Sequence, residues 1–185
     1  MKDYTITRYS FDELSDEAKE TAIIERRALA SNEDISWLLE MCLNDELAEL
    51  LGTSSPSKPD LALYFSLSYS QGDGVALDGQ ITPATAPSLS WPKGAVYGYI
   101  KHRGHYYHER TFTLHLCDEE GEEMESALML EELRDICRKL AREGYSIMEH
   151  DQSRENALEW IENNTANDYT AEGKFKPITE QKASA

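Results

Sequence analysis

The residues with the most chemical capacity in this chain stand between positions 66 and 125. His102, His105 and His108, with Glu109 next, could supply three imidazoles and a carboxylate to a zinc ion. If Gly104 turns the chain, His102 and His105 fall on opposite arms of a hairpin and could meet. His108 shares its parity with Arg110, Phe112 and Leu114, whereas His105 has the other, and successive strand side chains point to opposite faces. No Cys-x-x-Cys or H-E-x-x-H pattern supports a metal, so strand-face histidines among tyrosines are the better reading, with no cofactor implied.

The turn Gln71-Gly72-Asp73-Gly74 looks at first like a phosphate loop. It lacks either glycine-rich phosphate pattern, no helix follows it, and Asp73 would repel a phosphate. Gly-Asp-Gly instead tolerates the positive φ that a tight hairpin turn needs, which leaves Gln71 and Asp73 as candidate contacts at a partner site. Ser66, Ser68 and Ser70 form a polar stripe with no G-x-S-x-G elbow around them. Cys42, Cys117 and Cys137 sit in apolar patterns and read as reduced, buried thiols. The usual signatures of catalysis are missing from the sequence, and the expectation is a protein that is not an enzyme.

Charge is sorted along the chain. Lysine and arginine number 18 against 35 aspartates and glutamates, a net charge of -17. Residues 1–51 carry 13 acids and 5 bases (net -8), residues 118–185 carry 18 and 8 (net -10), and residues 52–117 carry 4 and 5 (net +1). Such a surface repels nucleic acid and anionic lipid and attracts basic protein surfaces. The sharpest local feature is Asp118, Glu119, Glu120, Glu122, Glu123 and Glu125, six acids in eight positions with no base. Acids are favoured at a helix N-terminus in any case. Carboxylates three or four positions apart on a helix lie about 5–6 Å apart, and phosphates of one DNA strand recur about every 3.4 Å. An acidic helical face can therefore compete with DNA for a basic cleft; the same face can also simply confer solubility.

These residues need elements to hold them. Alternation over 4–11 suggests a short strand. Ser15, followed by Asp16 and Glu17, caps a helix reaching about Leu29. A second helix opens near Asn32, carries Ile35, Leu38, Leu39, Cys42, Leu43 and Leu47 on one stripe, and stops at Gly52. A Ser- and Pro-rich loop, 53–60, leads to a strand in which Leu61, Leu63, Phe65, Leu67 and Tyr69 alternate with smaller or polar residues. The return strand begins at Val75, and two more strands, 95–102 and 106–116, join across Arg103-Gly104. Helical character resumes at about Glu123, with Met129, Leu133, Ile136 or Cys137 and Leu140 inward and Gly144 as its stop. Ser153 caps a last helix that packs through Ala157, Leu158, Trp160 and Ile161. The expectation is an α+β fold with a central antiparallel sheet of about four strands, N-terminal and C-terminal helices on one face, a single domain over 1–173 and a flexible tail, 174–185. The N-terminus has no signal-peptide pattern and no run is of membrane-spanning length, so a soluble cytoplasmic protein with no membrane partner is expected.

The stretches FDELSDEAKETAI (11–23), LYFSLSYSQGDGVAL (63–77), YIKHRGHYYHE (99–109), LRDICRKLAREGYSIME (133–149) and NNTANDYTAEGKF (163–175) resemble an uncharacterised family of small acidic proteins from tailed bacteriophages and prophages. Its members carry the QGDG turn and are sometimes labelled antitoxin-like, and Val75-Ala76-Leu77 departs from the family's usual small or aromatic residues there. The resemblance implies phage origin and a host-cytoplasm location, and it brings no catalytic residue with it. Charge and resemblance together predict an interaction protein that inhibits a host nucleic-acid-binding or defence enzyme, by DNA mimicry through Glu119, Glu120, Glu122, Glu123 and Glu125. Its partner would be a host protein with a basic surface, and it would not bind nucleic acid directly. Two other classes remain: a toxin-neutralising or assembly partner that binds through Tyr64, Tyr97, Tyr99, Tyr106 and Tyr107, and a metal-binding protein using His102, His105 and His108.

Overall fold

A computed structural model describes residues 7–30, 35–53, 60–164 and 168–176. The chain forms two compact units, residues 35–146 and residues 1–34 with 147–185. The larger unit is built on a five-stranded antiparallel sheet in the order β1-β2-β3-β4-β5. The strands are β1 (Leu61–Ser66), β2 (Gly74–Ile81), β3 (Tyr97–His102), β4 (Phe112–Cys117) and β5 (Glu123–Met124). With the helices described below, this is an α+β fold. Every connection is between sequence neighbours, so the sheet is a meander.

Register shows why the sheet has two unlike faces. Leu63 lies opposite Leu77, Gly79 opposite Ile100 and Gly98 opposite Leu116. Side chains alternate along a strand, so Leu61, Val75, Leu77, Ile81, Ile100, Phe112 and Leu116 share one face, and all are buried. The other face presents Tyr64, Asp78, Gln80, Tyr97, Tyr99, Lys101, His115 and Glu123. Helix α2 (Ser36–Leu51) buries Leu39, Leu43, Leu47 and Leu51, close to the stripe predicted for it. It ends where Gly52 adopts φ 77°, with the Gly52 and Thr53 amides donating to Glu49 and Ala48 carbonyls at 2.9 Å. The predicted start near Asn32 lies outside the described residues, as does most of the 53–60 loop.

Helix α3 (Ala127–Asp151) corrects the sequence reading at both ends. It starts at Ala127, where the Ser126 hydroxyl accepts the Met129 amide at 3.2 Å, so Glu123 belongs to a strand instead. It continues through Gly144 for seven more residues. A Cβ at Gly144 would collide with the Leu67 side chain, so glycine is there to let α3 approach closely, not to stop it. Met129, Leu133, Ile136, Cys137 and Leu140 are buried, each large side chain stabilising by about 1.5–3 kcal/mol through lost water contact. Ser90 is tied to the same helix, its amide and hydroxyl donating to the Glu132 carboxylate at 2.8 and 2.5 Å.

The smaller unit packs α1 (Asp16–Ala30) on α4 (Arg154–Asn164). The Ser15 hydroxyl accepts the Ala18 amide at 3.3 Å, and the Ser153 hydroxyl accepts the Asn156 amide at 3.0 Å, the two N-caps the sequence predicted. The core comprises Leu14, Ala18, Ala22, Ile23, Ala157, Ile161 and Tyr169, with Trp160 and Leu158 half-buried against it. Arg26 is buried, its guanidinium 4.3 Å from the Trp160 ring centre. The predicted strand over 4–11 is reduced, among the described residues, to one bridge between Tyr9 and Tyr169, after which Phe11–Glu13 form a 3₁₀ turn. Residues 174–176 are held by the Phe175 amide to Glu25, at 3.2 Å, and the Lys176 amide to Asp168, at 2.7 Å. No helix among the described residues is long and apolar enough to cross a membrane.

Candidate functional site

The antiparallel meander sends the β1–β2 and β3–β4 turns to one end of the sheet and the β4–β5 turn to the other. The predicted site residues therefore divide. Gln71, Asp73 and the three histidines gather at the first end, and the acidic run stands at the second, separated by β4's six residues, roughly 20 Å of extended chain.

At the first end the serine stripe explains the aspartate. Asp73 accepts hydrogen bonds from the Ser66 hydroxyl (2.8 Å), the Ser68 amide and hydroxyl (2.7 and 2.9 Å) and the Ser70 amide (2.6 Å). Burial alone would push this carboxyl up, but the donors outweigh it and hold Asp73 below the ordinary carboxylate range. Asp73 thus organises the hairpin turn, and Gln71 is left exposed at its tip. Gly72, at φ 91°, lies so close to the Tyr106 ring that a Cβ would collide with it. Tyr69 takes φ 58°, unusual for a non-glycine residue, and places its ring 4.6 Å from that of Tyr145.

The β3–β4 connection is where the sequence reading is corrected most. Residues 106–111 form a loop rather than the start of a strand. The Thr111 amide and hydroxyl both donate to the His108 carbonyl, at 2.9 and 2.8 Å, and the Arg110 amide donates to His108 Nδ1 at 3.1 Å. These local bonds take the backbone groups that a ladder would have used. Gln71, Gly72, Asp73, Tyr106, His108, Glu109 and Arg110 then line an open cleft of about 450 Å³. Glu109, which the sequence offered only as a carboxylate for a metal beside the histidines, stands 3.7 Å from Arg110 and 3.9 Å from His108. The run His108-Glu109-Arg110-Thr111, four polar residues without alternation, was the signal for this loop.

The three histidines do not assemble a metal shell. His102 Nε2 lies 2.9 Å from the Tyr106 carbonyl, His108 Nδ1 takes the Arg110 amide, and His105 is exposed on the loop. Among the described residues no group of three or more His, Cys, Asp or Glu side chains is placed to hold a metal ion. The buried Cys137 thiol is pushed up to about 12, by burial first and then by the charge of Glu109, which leaves it unreactive as a nucleophile near neutral pH.

At the second end, Asp118 Oδ1 accepts the Glu120 and Glu122 amides at 3.0 and 2.8 Å, and Gly121 takes φ 84°. The acidic run is thus a hairpin turn with a two-residue strand, not a helical face, so helical spacing of its carboxylates does not apply. Glu119, Glu120, Glu122, Glu123 and Glu125 are all exposed. Glu123 lies 3.9 Å from His115, and among the described residues no lysine or arginine pairs with Glu119, Glu120, Glu122 or Glu125. Farther along, α3 neutralises its own acids: Arg138 contacts Glu131 at 2.7 Å and Asp135 at 2.6 Å.

The tyrosines mark the open face between these ends. Tyr97 and Tyr99 meet edge to face at 5.4 Å beside the acidic turn, where a hydrogen bond with Cys117 is the main cause pushing the Tyr97 phenol up and the charge of Asp118 is a lesser one. Tyr64 stacks on Tyr107 at 5.5 Å with His102 against both, nearer the cleft. Tyr64 and Tyr99 remain 40% and 47% exposed. The fold and this surface define an acidic α+β protein with one open, tyrosine-bearing sheet face. Compared with family models, with curated proteins and with solved structures, the chain gives no match in any of the three.

Proposed function

We propose that this chain is a non-enzymatic interaction protein that captures a basic protein surface on the open face of its sheet. One observation supports the reading above the others: Glu119, Glu120, Glu122 and Glu125, without a lysine or arginine partner among the described residues, border the same end of the sheet as half-buried Tyr97 and exposed Tyr99. Carboxylates draw a basic partner in from a distance, and tyrosine rings give its arginines and lysines flat faces to settle on. The proposal joins two expectations, the acidic capture surface and the tyrosine-rich face, into one continuous site.

The narrower role remains a phage-encoded inhibitor of a host nucleic-acid-binding or defence enzyme, acting in the host cytoplasm. Its support is the net charge of -17 and the resemblance over five stretches of the chain. An antitoxin-like role would use the same face with a toxin as the basic partner. Affinity capture from infected host cells, eluted in salt steps, tests the class. The proposal expects a basic partner released by moderate salt and lost on Tyr99→Ala; an acidic partner, or retention indifferent to salt and to Tyr99, contradicts it.

A further inference from the structure

The cleft between the β1–β2 and β3–β4 turns holds two carboxylates in opposite states. Asp73 accepts hydrogen bonds from the Ser66 and Ser68 hydroxyls and from the Ser68 and Ser70 amides. Glu109 accepts none among the described residues, although its side chain is only 24% exposed. Two groups that can carry positive charge stand near it, Arg110 Nε at 3.7 Å and His108 Nδ1 at 3.9 Å. His108 cannot serve it, because Nδ1 accepts the Arg110 amide at 3.1 Å and so has no proton to offer. The Arg110 side chain is 79% exposed and lies beyond hydrogen-bond distance. A carboxylate has room for about four donors, and one so far withdrawn from water ordinarily finds some. Glu109 is the unmet acceptor of the cleft.

The rest of the lining says which donor fits. With His108 neutral, Asp73 and Glu109 outnumber Arg110, so the cleft favours a cation. An anion would meet Asp73, whose donors hold it ionised. Tyr106 adds a flat surface at the rim: its ring packs against Gly72, where a Cβ would collide, and stays 61% exposed. Gln71, exposed at the turn, adds a side-chain amide oxygen. A carboxylate, a ring and an amide oxygen around about 450 Å³ suit a planar fork of N–H donors better than a compact ammonium. We propose that this cleft is a socket for an arginine side chain of the basic partner. Two guanidinium N–H groups donate to the Glu109 carboxylate, the guanidinium plane lies on the Tyr106 ring, and a further N–H donates to Gln71. The inference rests on the proposed capture function for the source of the arginine. It adds a second anchor, roughly 20 Å from the acidic turn along β4. The acidic turn speeds arrival of any basic surface, and the socket selects arginine over lysine.

The experiment is an NMR titration of the full chain with arginine acetylated and amidated at its ends, beside lysine blocked in the same way. Blocked arginine is expected to give saturable shifts at the Gly72, Glu109 and Arg110 amides, and blocked lysine to bind about fivefold more weakly. Glu109→Gln removes no hydrogen bond of the fold and is expected to weaken blocked arginine about tenfold or more. Tyr106→Leu keeps an apolar contact for Gly72, removes the ring, and is expected to weaken it about threefold. Replacing Glu119, Glu120, Glu122 and Glu125 by glutamine should leave blocked arginine bound as in the wild type, so the socket and the capture face fail separately. Absence of saturable shifts at the cleft, equal affinity for the two blocked amino acids, or a Glu109→Gln chain that binds like the wild type overturns the socket and leaves salt-dependent capture untouched. If Glu109→Gln does not fold, unchanged affinity in Tyr106→Leu overturns it instead.

Discussion

The two ends of the sheet use the same chemistry in opposite ways. At the β1–β2 turn one carboxylate, Asp73, is turned inward and accepts four hydrogen bonds, so its charge is consumed in holding the chain. At the β4–β5 turn Asp118 does a smaller version of this, and the glutamates around it face solvent, four of them with no lysine or arginine paired to them among the described residues. An acid's meaning therefore lies in how many donors it meets, not in how many acids surround it. Carboxylates already satisfied build structure, and unsatisfied ones are free to attract a partner.

The sharpest way to test the contrast is through the two turn glycines. Gly72→Ala places a methyl against the Tyr106 ring at φ 91° and is expected to lower stability by about 3 kcal/mol in urea unfolding. Gly121→Ala meets nothing closer than the Tyr97 hydroxyl at 4.0 Å and should cost only the left-handed backbone, about 1 kcal/mol. Equal losses would mean that the two ends are equally packed.

Next in size come the aspartates. Asp73→Ala strands two amides and two hydroxyls and should cost about 2 kcal/mol; Asp118→Ala strands two amides on an exposed turn and should cost about 1 kcal/mol. The pH dependence gives the sign independently. Asp73 titrates lower in the folded chain than its ordinary 3.8, so its contribution is present above that value and lost as pH falls through the lower folded one. The difference in Tm between wild type and Asp73→Ala should shrink on acidification from pH 6 to about pH 2.5.

Much of this was legible beforehand, for physical reasons. Period-2 alternation over Leu61–Ser66 and the leucine stripe of α2 both follow from one buried face, and such patterns survive in a lone sequence. The two cap serines Ser15 and Ser153 were readable because a hydroxyl before a helix has few other uses, whereas Ser126 was not. Residues 106–111 were misread as strand because Tyr106 and Tyr107 suit one, while the deciding bonds, Thr111 to His108, are local and conformational. Acids from 118 to 125 suit a helix N-terminus as well as a hairpin, and Asp118 capping its own turn decided between them. Gly144 was taken for a stop because its contact, Leu67, lies far away in sequence. The cleft joins two turns brought together by the meander, and the sequence offers Glu109 only as a metal-ligand candidate, not as part of its lining.

The smallest expected effect on stability belongs to the glutamates themselves. Replacing Glu119, Glu120, Glu122 and Glu125 by glutamine should shift unfolding by at most about 0.5 kcal/mol, since exposed side chains hold little of the fold. The same variant supplies the most direct test of the proposed function, namely the salt dependence of association rate with the captured partner, measured for wild type and the four-fold glutamine variant. Capture by an acidic rim predicts a wild-type rate that falls steeply with salt and a variant that is slower and nearly flat. Coincident salt curves for the two proteins would contradict it.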